Sequence, residues 1–310
     1  MSELPLTIDP KPEAEKIQRH IQELLDANSA DGIIIGLSGG IDSAVLAALA
    51  VRAVGCRRVY AYYLYDRDSS KDSHAGANLI ADWLQIELEH RDITPAMRQI
   101  KIYSPLAMKI TAFSGLINRF LNKRLNRFLC RESFFTYTLR RANFDGSIIK
   151  RFFYERTVGC IEAAFNARHI YRRRFLEQRA REKNCLLLGA ANRSEWMVGW
   201  FVKGGIDNLP FSPLIGLYKT QILRLAEYLD LPPQVRSRTP SPDMVKGITD
   251  ESALGISYAT LDIILDCTER GMSDTQILSS DISKEDLCLV RTMNNLSEWK
   301  RHPEKSLTCL

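Results

Sequence analysis

The chain reads as an α/β protein, a doubly wound parallel sheet with helices on both faces, and three observations carry that expectation. First, the apolar run Gly32-Ile33-Ile34-Ile35-Gly36-Leu37 leads into the hexapeptide Ser38-Gly39-Gly40-Ile41-Asp42-Ser43. Residues 44–50 follow it with helix formers and no glycine or proline, so the order is strand, glycine turn, helix start. Second, apolar segments at 57–64 and 86–90 alternate with a helical pattern at 73–83. Third, the rhythm returns late, with a helical stretch over 159–182 and the apolar strand Asn184-Cys185-Leu186-Leu187-Leu188-Gly189. A sheet of this kind binds its ligands at the carboxyl ends of its strands.

Taken in order, residues 12–27 place Ile17, Ile21, Leu24 and Leu25 on one side of an amphipathic helix. The glycine turn comes next. Its two glycines allow a ligand close to the backbone, and the first N–H groups of the helix, with its dipole, favour an anion. Ser38 and Ser43 add hydroxyls, whereas Asp42 suits a phosphate site only if it holds a cation. The turn therefore reads as a pyrophosphate and Mg²⁺ site; a serine-capped helix behind a glycine turn is the alternative. It is not a Walker loop, because the G-x-x-x-x-G-K-[ST] spacing and its lysine are missing. A polar loop (Asp66-Arg67-Asp68-Ser69-Ser70) follows the second strand, and a second polar turn (Ala190-Ala191-Asn192-Arg193-Ser194-Glu195) follows the late one. Lys203, Gly204, Gly205 and Asp207 sit in a loop, and residues 217–228 form a helix with Lys219 in its first turn, ended by Leu231-Pro232-Pro233. Arg238-Thr239-Pro240-Ser241-Pro242-Asp243 is a proline-stiffened loop, and the chain beyond Asp250 is helical through Trp299 and Lys300.

With 45% hydrophobic and 25% charged residues, the composition is that of a soluble globular protein, and no apolar run reaches the roughly 20 residues that cross a bilayer. Seven scattered cysteines without a C-x-x-C pair, and an acidic start without a secretory pattern, point to the reducing cytoplasm. The 310 residues read as a single catalytic domain, 1–310, interrupted by a basic, Phe-rich helical insertion at about 103–156. Residues 101–156 hold 12 Lys/Arg against 3 Asp/Glu, so the net charge of +5 comes from this segment, which also has 8 of the 12 phenylalanines. Within it, residues 114–129 form a basic amphipathic helix. It suits a helix packed on the core, a lid or a second subunit. Other readings are a membrane-surface helix, which is not favoured, and a nucleic-acid surface, which is less favoured still.

A loop that grips pyrophosphate suggests cleavage between the α and β phosphates of ATP, leaving an adenylated substrate. Asp42 and Glu195, at the ends of separate strands, are placed to share a Mg²⁺ that neutralises the departing pyrophosphate, and Lys219 to put a point charge on a phosphate. An adenylating amide ligase and a nucleotide-binding module without turnover both fit these residues.

The hexapeptide is similar to the signature of the PP-loop ATP pyrophosphatases, whose fold is adenine-nucleotide-hydrolase-like and Rossmann-like. The later segments resemble ammonia-dependent NAD synthetase. They are Asn166-Ala167-Arg168, the turn from Leu188 to Glu195, the stretch from Gly199 to Pro210, Leu217-Tyr218-Lys219-Thr220, Pro240-Ser241-Pro242-Asp243, Thr249-Asp250-Glu251 and Ser297-Glu298-Trp299-Lys300-Arg301. The resemblance covers roughly 12–98 and 157–303. It implies ATP-dependent amidation of deamido-NAD⁺ to NAD⁺ by ammonia, through an adenylated carboxylate, with release of AMP and pyrophosphate. By position it implies that Ser38, Gly39, Gly40, Ile41, Asp42, Ser43, Ala190, Lys219 and Ser241 bind ATP. Asp42 and Glu195 would bind Mg²⁺, and Asp42 and Lys219 would be catalytic. Arg168, Lys203, Asp207, Trp299 and Lys300 would bind deamido-NAD⁺, partly across a homodimer interface. Only 37 residues precede the turn, too few for a glutaminase domain, so free ammonia, or ammonia from a separate partner, is the expected nitrogen source. Ala190 stands where the family usually has a threonine, the loop at Lys203-Gly204-Gly205 is about three residues short and lacks an aspartate, and Trp299 replaces a histidine. The 103–156 insertion has no counterpart in that pattern. A different acceptor carboxylate, and a tRNA-thiolating relative without its reactive cysteines, are the alternatives.

Overall fold

The structure is a computed structural model and describes residues 6–112, 118, 134–140, 148–243, 245–279 and 281–301. Helix α1 (Pro10–Ala27) starts where Asp9 accepts from the Lys11 N–H and Pro10 takes the first helical position. Strand β1 (Gly32–Gly36) leads into α2 (Ile41–Val54), and a 3₁₀ turn (Cys56–Arg58) delays β2 to Val59–Tyr65. Then come α3 (Lys71–Leu84), β3 (Glu87–Asp92), α4 (Thr94–Gln99) and α5 (Leu106–Thr111). From the segment read as an insertion the structure describes α6 (Phe134–Leu139) and α7 (Ile148–Arg156). The amphipathic helix expected over 114–129 lies outside the described residues except for Asn118. The α/β alternation resumes with α8 (Val158–Glu182) and β4 (Cys185–Leu188). The rest is helical: α9 (Arg193–Val198), α10 (Lys219–Tyr228), α11 (Pro233–Arg236), α12 (Asp250–Leu254), α13 (Tyr258–Glu269), α14 (Asp274–Leu278), α15 (Lys284–Leu296) and α16 (Glu298–Arg301).

Among the described residues the sheet has the strand order β3-β2-β1-β4, with every neighbouring pair parallel. Alternation along the strands divides the core between the two faces. Ile33, Ile35, Val59, Ala61 and Tyr63 pack with α1, α2, α3 and α10, whereas Ile34, Tyr62, Leu64 and Leu187 pack with α4, α5 and α8. This is the doubly wound arrangement expected from the sequence. Helix α2 is buried on every side at Ile41 and from Ser43 to Ala50, which its run of small residues permits. A further core gathers α9 and the C-terminal helices, and Phe135 and Leu139 of α6 are buried within it. The described part of the insertion is therefore packed on the body of the protein. No helix among the described residues is long and apolar enough to cross a membrane.

Candidate active site

The carboxyl end of β1 delivers Ser38–Ser43 as a turn closed by its own side chains. The Ser43 hydroxyl donates to the Gly40 carbonyl at 3.0 Å and accepts from the Ser38 N–H at 3.2 Å. Gly39 is left-handed, with φ of 76°. A Cβ there would lie 2.2 Å from the Ser73 carbonyl oxygen, so the turn lies against the first turn of α3 in a way only glycine permits. Arg238 ties the proline-stiffened loop to the same place, donating to the Gly39 carbonyl at 3.1 Å and the Ser73 hydroxyl at 2.5 Å. Asp243 accepts from the Ser70 N–H at 3.1 Å, and Ser241 holds its loop by donating to the Ile248 carbonyl at 3.0 Å.

Three elements meet over the turn. Asp42 stands in the first turn of α2, Glu195 in the first turn of α9, and Lys219 begins α10. The Lys219 ammonium is buried, 2.5 Å from Asp42 Oδ2 and 3.5 Å from Glu195 Oε1. Asn192 caps α9 through the Glu195 N–H at 3.0 Å and donates its amide to Asp42 at 3.1 Å, so one side chain ties the start of α9 to the Asp42 carboxylate. The Tyr258 hydroxyl contacts Glu195 Oε1 at 3.3 Å and Asp250 Oδ2 at 3.2 Å. Beneath, Asp262 accepts from the Ser194 hydroxyl at 2.5 Å and from the Thr220 N–H and hydroxyl, both at 2.8 Å, which locks α9 to α10.

The electrostatics follow from burial. Glu195 is pushed up to about 8, because desolvation, with Asp42 and Asp250 alongside, outweighs the pull of Lys219. Burial also lifts Asp250, to about 6. Burial pulls the Lys219 ammonium down, yet Asp42, Glu195 and Asp250 overcome it and hold the proton more tightly than usual. Three carboxylates thus surround one ammonium in a low-dielectric site.

A cavity of about 570 Å³ runs from this cluster along the strand ends. Its lining includes Ser38, Gly40, Ser43, Ala190 and Ser241, and also Phe165, His169, Trp200, Asp207 and Lys300. The structure thus brings together the residues expected to bind ATP and Mg²⁺. The acceptor residues divide. Asp207 lines the cavity, 3.2 Å from His169 and accepting from the Val202 N–H at 3.0 Å, and Lys300 lines it while donating to the Gly199 and Phe201 carbonyls at 2.7 and 2.6 Å. Lys203 is exposed and donates to the Trp299 carbonyl at 3.2 Å; neither residue lines the cavity. Arg168, expected on the substrate, is 1% exposed and paired with Asp66 at 3.2 Å and Asp68 at 2.9 Å. A guanidinium that deep requires carboxylate partners, and it is Arg172, one turn on, that lines the cavity.

Asn192, Arg238, Asp250 and Tyr258 were not singled out from the sequence. Asn192 had a local signal, a capping residue three before an acidic one. The other three reach the site from distant loops and helices, and no spacing reports that.

The family model for NAD synthase matches residues 13–114 and 147–304 and passes over 115–146. Among similar proteins, the NH(3)-dependent NAD(+) synthetase of Coprothermobacter proteolyticus is 34% identical over 267 residues, covering 84% of this chain and 85% of that protein. That of Thermotoga maritima is 32% identical over 284 residues, covering 92% and 94%. Among solved structures, the NMN synthetase from Francisella tularensis superposes with a TM-score of 0.68 at 25% identity, covering 96% of this chain and 97% of that one. The NH3-dependent NAD synthetase from Campylobacter jejuni shares the fold with a TM-score of 0.64 at 20% identity, covering 95% and 97%. The glycine turn, the Asp42–Lys219–Glu195 cluster and these similarities lead to one conclusion: the chain belongs to the NAD synthase family.

Proposed function

We propose that this protein converts deamido-NAD⁺ to NAD⁺ by ATP-dependent amidation with ammonia. The observation that carries the reading is the Lys219 ammonium held between Asp42 and Glu195 at the glycine turn, in a cavity with room beyond it for a second substrate. A carboxylate is a poor electrophile until one of its oxygens becomes a leaving group. In the first step a nicotinate oxygen attacks the α-phosphorus of ATP, the bond to the bridging oxygen breaks, and pyrophosphate departs. In the second, the ammonia nitrogen attacks the carboxyl carbon, AMP leaves with the old oxygen, and one proton is released.

The chain's own groups suit the first step. The N–H groups at the start of α2 and the Ser38 hydroxyl would meet the departing phosphates, and Lys219 would add a fixed positive charge. A divalent cation fits the cluster on physical grounds. The half-buried Asp42 and Glu195 and the buried Asp250 supply oxygen donors around a single ammonium, a donor set that suits Mg²⁺. Mg²⁺ is commonly held by one or two carboxylates plus substrate phosphates. Asp42 and Glu195 would hold the ion, and it would neutralise charge on the pyrophosphate. The reading includes a homodimer in the cytoplasm, with free thiols at Cys56, Cys160, Cys185, Cys267 and Cys288 suiting a reducing compartment; sedimentation velocity tests the dimer.

The test is a product assay with ATP, MgCl₂, ammonium chloride and deamido-NAD⁺. NAD⁺, AMP and pyrophosphate are expected in equal amounts, with no activity when glutamine replaces ammonium. Absence of NAD⁺ overturns the proposal. Amide formation on nicotinate mononucleotide alone would move the acceptor to that half of the dinucleotide, the product named for the Francisella tularensis neighbour.

A further inference from the structure

We propose that Phe135, supplied by α6, is an acceptor-binding residue that forms an aromatic wall for the nicotinate ring. The inference rests on the reading of the substrate as deamido-NAD⁺. The family model passes over residues 115–146, so this wall belongs to a segment outside the family's common pattern.

Phe135 lines the cavity and is 5% exposed. Its ring meets Trp200 edge to face, with centroids 4.7 Å apart at 87°, and the Lys300 ammonium lies 5.7 Å from its centroid. The phosphate-gripping turn defines the ATP end of the cavity. Lys300, expected on the acceptor, lines the same cavity and lies against the Phe135 ring, so Phe135 is assigned to the acceptor. The stretch before α6 is also tied to the body of the protein. The Asn118 amide donates to the Thr111 carbonyl at 2.8 Å and the Lys246 carbonyl at 3.0 Å, and the Lys246 ammonium donates to the Ala112 carbonyl at 3.1 Å.

The chemistry of the acceptor matches this corner. In deamido-NAD⁺ the nicotinate ring is a pyridinium that bears a carboxylate. Aromatic rings attract a cation through their quadrupole, and an ammonium beside them suits the carboxylate. Phe135 and Trp200 supply the first, Lys300 the second. A wall brought by α6 of the same chain also means that this part of acceptor binding needs nothing from a second subunit.

Steady-state kinetics of Phe135→Leu and Phe135→Tyr test the assignment, with melting temperatures measured in parallel. Phe135→Leu keeps apolar volume and removes the ring, so the KM for deamido-NAD⁺ is expected to rise about tenfold while the KM for ATP stays within about twofold of wild type. Phe135→Tyr restores the aromatic face and is expected to remain near wild type. If the leucine variant fails to fold, Phe135→Met provides the same comparison with a flexible side chain. An unchanged acceptor KM, or a parallel rise for ATP and acceptor, overturns the proposal. Wild-type protein that makes no NAD⁺ overturns the functional reading and this inference with it; active wild type with an unaffected Phe135→Leu overturns this inference alone.

Discussion

Glu195 is where charge and burial conflict most. Its ordinary value of 4.5 rises to about 8 because it is desolvated beside Asp42 and Asp250, which outweighs the pull of Lys219 and the Asn192 amide. Between those two values the folded chain holds a proton that the unfolded chain has released, so the folded state binds more protons and stability falls as pH rises. Ligand-free protein is therefore expected to melt at a temperature lower by at least about 2 °C at pH 8 than at pH 6. Glu195→Gln should flatten that slope, and a wild-type profile level across the window would contradict the account. Asp42, Glu195 and Lys219 were readable at this scale, because a carboxylate next to a glycine turn needs a cation. Asp250 and Tyr258 were not, because an Asp at a helix start and a Tyr in an apolar helix carry no sign of what they face. Arg168 shows the reverse. Its position resembled a substrate contact, and in the fold it is buried against Asp66 and Asp68, just beyond β2.

Between elements, the tightest constraint is the meeting of the glycine turn with α3. Gly39 is left-handed and its missing Cβ would fall 2.2 Å from the Ser73 carbonyl oxygen; Gly76 answers from α3, where a Cβ would lie 2.8 Å from the Gly39 carbonyl oxygen. Gly39→Ala thus adds both backbone strain and a clash with main chain, which no side-chain rotation relieves. The expected cost is more than about 3 kcal/mol of unfolding free energy, read by urea denaturation, together with loss of ATP binding. A variant of near wild-type stability would mean that the turn and α3 separate easily. The turn itself was plain in the sequence. Its partner was not, because Gly76 is an isolated glycine inside a helical pattern and close backbone approach is a property of two elements at once.

Across the whole molecule, α10 joins the core on one face of the sheet to the core of C-terminal helices. Ile222 and Leu225 belong to the first, and Tyr218, just before the helix, to the second. Glu269 at the end of α13 reinforces the joint. It accepts from Arg193 Nε at 2.8 Å, from a second Arg193 nitrogen, and from the Tyr218 hydroxyl. Burial raises its carboxyl, but these donors outweigh burial and hold its pKa below the ordinary 4.5. A depressed value contributes stability above the unfolded pKa and loses it as pH falls, so Glu269→Gln should reduce stability at pH 7 by about 1–2 kcal/mol and narrow the gap to wild type in acid. Chemical denaturation at pH 7 and pH 4 checks both parts, and an equal deficit at the two values would refute the linkage.

By itself the sequence determined the sheet, the glycine turn, the activating chemistry and the three charged groups that meet over the turn. Each of these is local: alternation along a strand, a turn only glycine can make, a helix start that attracts anions. The tertiary structure decided the rest. It chose Arg172 over Arg168 for the cavity, closed the cluster with Asn192, Asp250 and Tyr258, and packed α6 inward so that Phe135 meets Trp200. Those outcomes depend on which surfaces touch across long sequence separations, and burial then sets the charges. Neither is written in the spacing of residues along the chain.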